Sequence, residues 1–284
     1  MSRIKCKLLG TGAAEGIPAL FCQCPICTDA MRLGGRNIRG RSCALINDTI
    51  LVDFPPDILS YKVRYDIDMA KVSHVFITHS HLDHLAAGEF CYYHRMYANR
   101  NDEDSVLNIY GNEKVLQVIN DAFVFDMGHC PDCISLNRLD AFGTVDANSV
   151  HVTAIPVEHD KREDCFIYLF ESNGRILIAN DSAYFTETTF QYLAGLYLDA
   201  VILDCTGGKR YPVKGFTHMT FTENLVVKSR LESQKSTDER TLFLSHHFSH
   251  NGLVNYDDFM LLAEDTGFVS TYDGMEINVG GGVS

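Results

Sequence analysis

The sequence predicts a mixed α/β (α+β) protein with four layers, in which two β-sheets pack face to face and helices cover their outer surfaces (an αββα sandwich). Two observations lead to this prediction. Strand patterns dominate the first part of the chain and then alternate with helix patterns, an order that builds layered sheets with helices outside. The 284 residues are 46% hydrophobic, which is enough to bury a large core. We therefore expect residues 1–284 to form a single domain.

Each predicted strand is a short run rich in apolar residues, and each predicted helix is a stretch whose apolar residues recur at helical spacing. In chain order the prediction is strands at 4–9, 42–46 and 49–54, a helix at 57–65, a strand at 72–78, a helix at 82–98, a strand at 107–110, a helix at 112–123, strands at 150–157, 165–171 and 175–179, a helix at 186–194, a strand at 199–204, a helix at 222–232, a strand at 240–244, a helix at 255–266 and a strand at 275–279. The polar segment 233–239 is predicted to be a surface loop.

Composition and charge argue against several classes of protein. The formal net charge is −13, and an acidic chain repels phosphate backbones, so long nucleic acid is an unexpected partner. No apolar run approaches the length of a membrane span, so we expect no membrane partner. The chain enters a strand directly without a signal peptide, which predicts a cytoplasmic protein. In that compartment the 10 cysteines are expected to bind metal or lie buried, not to form disulfides.

The segment Thr78-His79-Ser80-His81-Leu82-Asp83-His84 is the strongest functional signal. It follows an apolar strand, at the position where open α/β sheets place their sites. Three imidazoles and a carboxylate this close together would suffer desolvation and mutual repulsion without a cation. In an extended backbone His79 and His81 point the same way, and Asp83 and His84 can then face a second ion. We therefore predict a metal site here.

The spacing His-x-His-x-Asp-His resembles the signature of the metallo-β-lactamase-fold hydrolases, whose fold is the αββα sandwich. The resemblance implies three more ligands at long range, and His159, Asp181 and His246 each follow a predicted strand in the expected order. The implied centre is dinuclear: one ion is held by His79, His81 and His159, the other by Asp83, His84 and His246, and Asp181 bridges them. His247 remains an alternative to His246, and the mid-strand His151 is a weaker competitor of His159.

A second metal site is indicated by Cys22, Cys24 and Cys27 in the loop around residues 21–28. Three thiols at Cys-x-Cys-x-x-Cys spacing suit the tetrahedral preference of zinc, and one more ligand is needed. Because no fourth cysteine is near, a distant histidine is the natural candidate, and His250 is suitably placed after His246. Four protein ligands leave no open position, so this zinc is predicted to be structural.

The closest resemblance is to the PhnP-type phosphoribosyl cyclic phosphate phosphodiesterases. It rests on residues 8–18, on the cysteine cluster, on the His-x-His-x-Asp-His motif and on the ending Tyr-Asp-Gly-Met-Glu-Ile at 272–277, all in the family's order. It implies hydrolysis of a small phosphodiester, in the first place a cyclic one, by a hydroxide bridging two divalent ions, often manganese or zinc, with iron as a further option. It also implies that Asp204 and His218 form an acid–base pair. Relatives often form dimers, so a homodimer is one assembly to expect.

Two features leave alternatives open. The family usually has Asp-Ala-Gly where this chain has Asp53-Phe54-Pro55-Pro56, so the proline pair is expected to reshape the loop beside the metals and with it the substrate preference. The fold also hosts hydrolases of lactones, thioesters and RNA 3′ ends, and a PqqB-like protein of a cofactor pathway that has no hydrolytic role. Asp53 is expected to orient a ligand histidine. The pair Cys130 and Cys133 is interpreted as part of a loop.

Overall fold

Two seven-stranded β-sheets lie at the centre of the computed structural model, which describes residues 3–102, 104–213 and 215–280. Helices cover the outer face of each sheet, so the predicted αββα sandwich is confirmed. In the first sheet the strands lie in the order β14-β1-β2-β3-β4-β5-β6. Their bounds are β1 Ile4–Gly10, β2 Cys43–Ile46, β3 Ile50–Val52, β4 His74–Phe76, β5 Leu107–Gly111, β6 Ile134–Arg138 and β14 Met275–Val279.

The second sheet has the order β13-β12-β11-β10-β9-β8-β7. Its strands are β7 Thr144–Ala147, β8 Val150–Val157, β9 Cys165–Glu171, β10 Arg175–Ala179, β11 Ala200–Asp204, β12 Leu242–His246 and β13 Phe268–Ser270. The strands from β10 to β13 run parallel to one another, as do those from β3 to β6 in the first sheet. Each sheet therefore has a set of parallel strands whose carboxyl ends can present side chains at one edge.

The helices are α1 Pro25–Leu33, α2 Ile58–Arg64, α3 Glu113–Met127, α4 Glu187–Leu193, α5 Phe221–Ser233 and α6 Tyr256–Leu262. Short 3₁₀ helices span Gly35–Asn37, Met69–Lys71, Ala87–Tyr93 and His250–Gly252. Among the described residues, none of the helices combines the length and the apolar character needed to cross a lipid bilayer.

Three layers of buried side chains hold the four structural layers together. The central layer joins the facing sheets, for example Phe76 of the first sheet and Tyr168 of the second. One outer layer packs the first sheet against α2 and α3, and the other packs the second sheet against α1, α4, α5 and α6. Each fully buried large apolar side chain stabilises the fold by about 1.5–3 kcal/mol. The turns at the sheet edge are thus fixed to a rigid frame.

The predicted helix at 82–98 is wrong, because only Ala87–Tyr93 is helical there and its geometry is 3₁₀. The backbone before it pairs with the segment after β3. The amide of Ala86 donates to the carbonyl of Phe54 at 2.7 Å, and the amide of Phe54 donates to the carbonyl of His84 at 2.8 Å. These bonds use backbone groups that an α-helix would need for itself. The residues after the motif are consequently anchored to the first sheet.

The sequence also missed four elements: β6, β7, β13 and α1. The three strands have 5, 4 and 3 residues, which is too short for a clear periodic pattern. Helix α1 begins immediately after the cysteine loop, with Pro25 in its first turn, where the fixed φ of proline is compatible with a helix start.

Candidate metal centre

Three histidines from two segments form the first group of potential ligands. His79 and His81 lie in the turn that follows β4, and His159 lies just past the end of β8. Nδ1 of His81 is 2.8 Å from Nε2 of His79 and 3.3 Å from Nε2 of His159. Three imidazole nitrogens converging at such distances are arranged to share one ion.

A second group lies beside the first and contains Asp83, His84, Asp181 and His247. Nε2 of His84 is 3.0 Å from Oδ2 of Asp83 and in close contact with Oδ2 of Asp181, and Nε2 of His247 is 3.0 Å from that same oxygen. The other carboxylate oxygen of Asp181, Oδ1, lies 3.7 Å from Nε2 of His159. Asp181 therefore faces both groups, one oxygen towards each.

Three atoms of the second group are buried without a hydrogen-bond partner among the described residues: Nε2 of His84, Oδ2 of Asp181 and Nε2 of His247. Buried polar atoms almost always have a partner, and leaving one unsatisfied costs about 1–3 kcal/mol. Here the three atoms point at one another instead. A divalent cation satisfies all of them at once, so the residues present fit a metal ion.

The protonation of the histidines also suits metal binding. Burial lowers the pKa of His79 well below its usual value, and the neighbouring His84 lowers it further. Burial likewise lowers the pKa of His159. For His84 burial acts in the same direction, but the carboxylates of Asp83 and Asp181 outweigh it and raise the pKa well above its usual value. The first group thus offers neutral imidazoles at His79 and His159, and the carboxylates of the second group supply negative charge that attracts a cation.

The second ring nitrogen of each histidine in these groups is held by another residue. The pairs are Nδ1 of His79 with Oγ1 of Thr78 at 3.0 Å, Nε2 of His81 with Oδ2 of Asp160 at 2.8 Å, Nδ1 of His84 with Oδ2 of Asp53 at 2.7 Å, Nδ1 of His159 with the carbonyl of Thr217 at 3.1 Å, and Nδ1 of His247 with Oγ1 of Thr206 at 2.9 Å. Such contacts fix the ring orientation and leave the opposite nitrogen for a metal. Asp53, which the sequence predicted to orient a ligand histidine, contacts His84 in this way.

The structure does not bring His246 to either group. Its Nε2 is 2.9 Å from Oγ of Ser42 and its Nδ1 is 3.1 Å from Oγ1 of Thr271. Both ring nitrogens are thus engaged in the core between the sheets. The sequence placed His246 among the ligands, whereas the structure places His247 in the group of potential ligands and His246 outside it. His247 has a left-handed backbone with φ of 57°, which directs the chain out of β12 and its side chain towards Asp181.

Asp204 and His218 border the second group. Oδ2 of Asp204 is 2.9 Å from Nδ1 of His218, which also lies 3.4 Å from Oδ1 of Asp181. Burial alone would lower the pKa of His218, but Asp204 outweighs it and raises that pKa to about 9. The amide of Met219 donates to Oδ1 of Asp204 at 3.0 Å. The predicted acid–base pair is therefore assembled, with the carboxylate fixed at Nδ1 of the imidazole.

The predicted cysteine site is also assembled in the structure. Cys22, Cys24, Cys27 and His250 form one group of potential ligands. Nδ1 of His250 lies 3.5 Å from the sulfur of Cys22 and 3.4 Å from that of Cys24. Although burial opposes ionisation, hydrogen bonds from the backbone of Cys27 and from neighbouring side chains lower the pKa of Cys24 to about 7. A set of three sulfurs and one imidazole fits a closed zinc site.

Among the described residues, Cys130 and Cys133 belong to none of the groups of potential metal ligands. Both are half-buried and pack against the layer that contains α3. The loop interpretation of this pair is consistent with that placement.

Sequence reasoning missed Asp160, the partner of His81. Its position directly after the ligand candidate His159 was the available signal. Glu163 was missed as well: its carboxylate accepts hydrogen bonds from the amide and hydroxyl of Ser80 at 3.0 and 2.6 Å. Together these two acids connect the loop after β8 to the turn that carries His79 and His81.

Comparisons with known proteins agree with this geometry. A sequence model described as the beta-lactamase superfamily domain matches residues 48–247. The chain is similar to the solved structure of a new diphosphatase from the PhnP family, with a TM-score of 0.77, 20% identity and coverage of 98% of both chains. It is similar to zinc-bound PqqB from Methylobacterium extorquens, with a TM-score of 0.73, 16% identity and coverage of 97% of this chain and 100% of that one.

Human tRNase Z, short form, gives a TM-score of 0.64 at 17% identity, covering 96% of this chain and 98% of that one. At these identities the likenesses establish the fold. Among curated proteins, an octanoyltransferase of Porphyromonas gingivalis is 30% identical over 112 residues, which is 36% of this chain and 22% of that protein. The chain thus matches about a fifth of the length of that relative.

Proposed function

This chain belongs to the beta-lactamase superfamily, a metal-dependent hydrolase fold, and from that premise we propose that it hydrolyses a small phosphodiester, with cyclic esters as the first candidates. One observation carries the proposal: two groups of potential metal ligands share Asp181, and the Asp204–His218 pair lies against the same carboxylate. The similarity of the whole chain to a diphosphatase of the PhnP family supports hydrolysis at phosphorus. The net charge of −13 disfavours long nucleic acid and so supports a small substrate.

The residues that would hold the metal ions follow from the two groups. His79, His81 and His159 would hold one divalent ion, Asp83, His84 and His247 the other, and Asp181 would contact both. When bound, two such ions supply Lewis acidity that offsets the negative charge of a phosphodiester and makes a water molecule more acidic. Zinc and manganese are the ions we propose, and iron accepts the same donors. The cysteine group would hold a third, structural zinc.

The chain's own residues complete the reaction. Asp204 is fully buried, and its carboxylate accepts a hydrogen bond from Nδ1 of His218. Nε2 of that imidazole is then left to carry a proton. The imidazole lies beside Asp181, with Nδ1 at 3.4 Å from Oδ1 of that carboxylate, so His218 is suited to protonate a leaving oxygen that forms there. General acid catalysis of this kind contributes about 10²–10⁴-fold to the rate. Asp204 fixes the ring orientation that the transfer needs.

Hydrolysis assays with metal analysis test the proposal. With manganese or zinc supplied, the protein should cleave bis(p-nitrophenyl) phosphate and members of a panel of cyclic phosphodiesters. His81→Ala and Asp181→Ala should abolish this, and His218→Ala should reduce kcat by about 10²–10⁴-fold while bound metal is retained. His151→Ala is the matched control, because His151 pairs with Asp146 on the surface and should not affect turnover.

The contradicting result is equally clear. Fully metal-loaded protein that cleaves none of these esters above the level of His81→Ala would refute a phosphodiesterase. It would favour hydrolysis of another substrate class or a non-hydrolytic role, and lactone and thioester substrates assayed in parallel would separate these two outcomes.

A further inference from the structure

The loop after β8 makes a direct contact with the most exposed of the histidines that face the proposed ions. The side chain of His81 is 35% exposed, whereas those of His84 and His247 are 0% and 1% exposed. Burial holds the latter two rings in place, but it cannot do so for His81. Its Nε2 instead contacts Oδ2 of Asp160 at 2.8 Å, while its Nδ1 faces His79 and His159.

The carboxylate of Asp160 is itself fixed by Arg162 within a short turn. The backbone amide of Arg162 donates to Oδ1 of Asp160 at 2.9 Å. The guanidinium adds Nε, at 2.9 and 3.0 Å from the two oxygens, and Nη2, at 2.6 Å from Oδ2. We name this arrangement an Asp-x-Arg turn. Because the carboxylate is already ordered, little further conformational entropy is lost when it engages His81.

The same arrangement occurs a second time, away from the metal groups. In the Asp-x-Arg turn at 238–240, the amide of Arg240 donates to Oδ1 of Asp238 at 2.9 Å, and Nη2 donates to Oδ2 at 2.6 Å. Its carboxylate accepts a hydrogen bond from the hydroxyl of Tyr197 at 2.9 Å. Both turns present a fixed carboxylate to a donor that is distant in sequence. They differ in that donor: a tyrosine in one, a metal-ligand candidate in the other.

We propose that Asp160 is a positioning residue that orients the imidazole of His81, with Arg162 holding the carboxylate in place. A hydrogen bond from Nε2–H to a carboxylate fixes the tautomer whose Nδ1 lone pair is free, and it increases the basicity of that nitrogen. Asp160 thereby sets the affinity for the ion of the His79, His81 and His159 group. The inference rests on the metal centre of the proposed function, but it is independent of the substrate.

A manganese titration followed by electron paramagnetic resonance of the free ion measures this affinity. Mn²⁺ disfavours thiolate ligands, so the cysteine group does not interfere. The wild-type protein should bind two ions, and Asp160→Ala should bind one of them about 10–100-fold more weakly, leaving the other unchanged. Asp160→Asn keeps an acceptor oxygen and should recover part of the loss. Arg162→Ala should cost at most about fivefold, the range for exposed ion pairs.

The second turn supplies the matched controls. Asp238→Ala and Arg240→Ala should leave both Mn²⁺ affinities unchanged, and all variants should unfold at the wild-type temperature when metal-free. Wild-type affinities in Asp160→Ala would overturn the inference, and so would an equal loss in Asp238→Ala, which would indicate general destabilisation. A wild-type protein that binds neither Mn²⁺ nor Zn²⁺ at these groups would refute the centre itself. Normal binding without hydrolysis of phosphodiesters would refute the proposed substrate class alone.

Discussion

At the scale of single residues, two adjacent histidines at the end of β12 have different surroundings. The ring of His246 forms hydrogen bonds with the side chains of Ser42 and Thr271 in the core, whereas His247 faces Asp181. Successive residues of a strand point to opposite faces, so only one of the two can reach the metal groups. The left-handed backbone of His247 decides which one. Sequence alone does not reveal that conformation, which explains why both histidines remained candidates in the sequence.

Paired substitutions separate the two roles. His247→Gln should bind one metal ion fewer at the His/Asp groups, because it removes a nitrogen that faces Asp181. His246→Gln should keep both ions but unfold at a lower temperature, since a buried hydrogen-bonded ring is lost at a cost of about 1–3 kcal/mol. Metal analysis and thermal unfolding of both variants provide the measurement. A metal deficit in His246→Gln instead would contradict the assignment made here.

Other site residues differ in how visible they are in the sequence. The ligand candidates at 79–84 are adjacent in the chain, so their spacing alone revealed them. His159 and Asp181 were found because each follows a predicted strand. Asp160 was not found, because its proposed role depends on a contact with His81, which lies 79 positions away in the sequence. No local pattern encodes that contact.

At the scale of elements, helix α5 fixes one end of the loop that carries His218. Its N-cap is a capping box: Oγ1 of Thr220 accepts from the amide of Glu223 at 3.4 Å, and the carboxylate of Glu223 accepts from the amide of Thr220 at 2.8 Å. Because His218 lies two residues before this cap, the helix start determines where the imidazole can be placed. The cap thus connects helix stability to site geometry.

Removing this cap should destabilise the protein measurably. Thr220→Ala is expected to lower the free energy of unfolding by about 0.5–2 kcal/mol, because it leaves an amide of the first turn unsatisfied. Urea denaturation measures the change. Thr222→Ala, an exposed position in the same turn, is the control and should alter the stability by no more than about 0.5 kcal/mol. Equal effects of the two substitutions would show that the cap has no special contribution.

The elements that the sequence predicted well are those with a clear apolar pattern. Strands β1, β8, β9 and β10 were found within a residue or so at each end, since each has a clear apolar run. The helix predicted at 82–98 failed for a tertiary reason: the backbone around Leu85 pairs with Phe54 across a parallel bridge. Local patterns carry no information about such a partner.

At the scale of the whole molecule, the metal groups lie between the two sheets. The turn at 79–84 extends from the first sheet, whereas His159, Asp181 and His247 extend from the second. The layered class was predictable from the order of elements. The strand order was not, because β14 returns from the end of the chain to pair with β1, and contacts between distant segments leave no local trace.

Metal removal should therefore weaken the whole fold. A ligand that binds only the folded state adds stability, roughly 4 kcal/mol at a thousandfold excess over Kd. Protein treated with a chelator should unfold at a lower temperature and at a lower urea midpoint, and added zinc or manganese should restore both. Asp181→Ala provides the control, since its stability should respond little to the chelator at the His/Asp groups. An unchanged midpoint in chelated wild-type protein would contradict a centre that joins the sheets.

The position of these groups between two sheets also imposes an order on biosynthesis. A nascent chain that ends before His247 contains the histidine-rich turn but lacks a side chain of the second group, and before β14 is made the first sheet lacks a strand beside β1. Domains generally fold as units once their residues are available. We therefore expect the complete centre of the proposed function to form only late in synthesis, after His247 has been added to the chain.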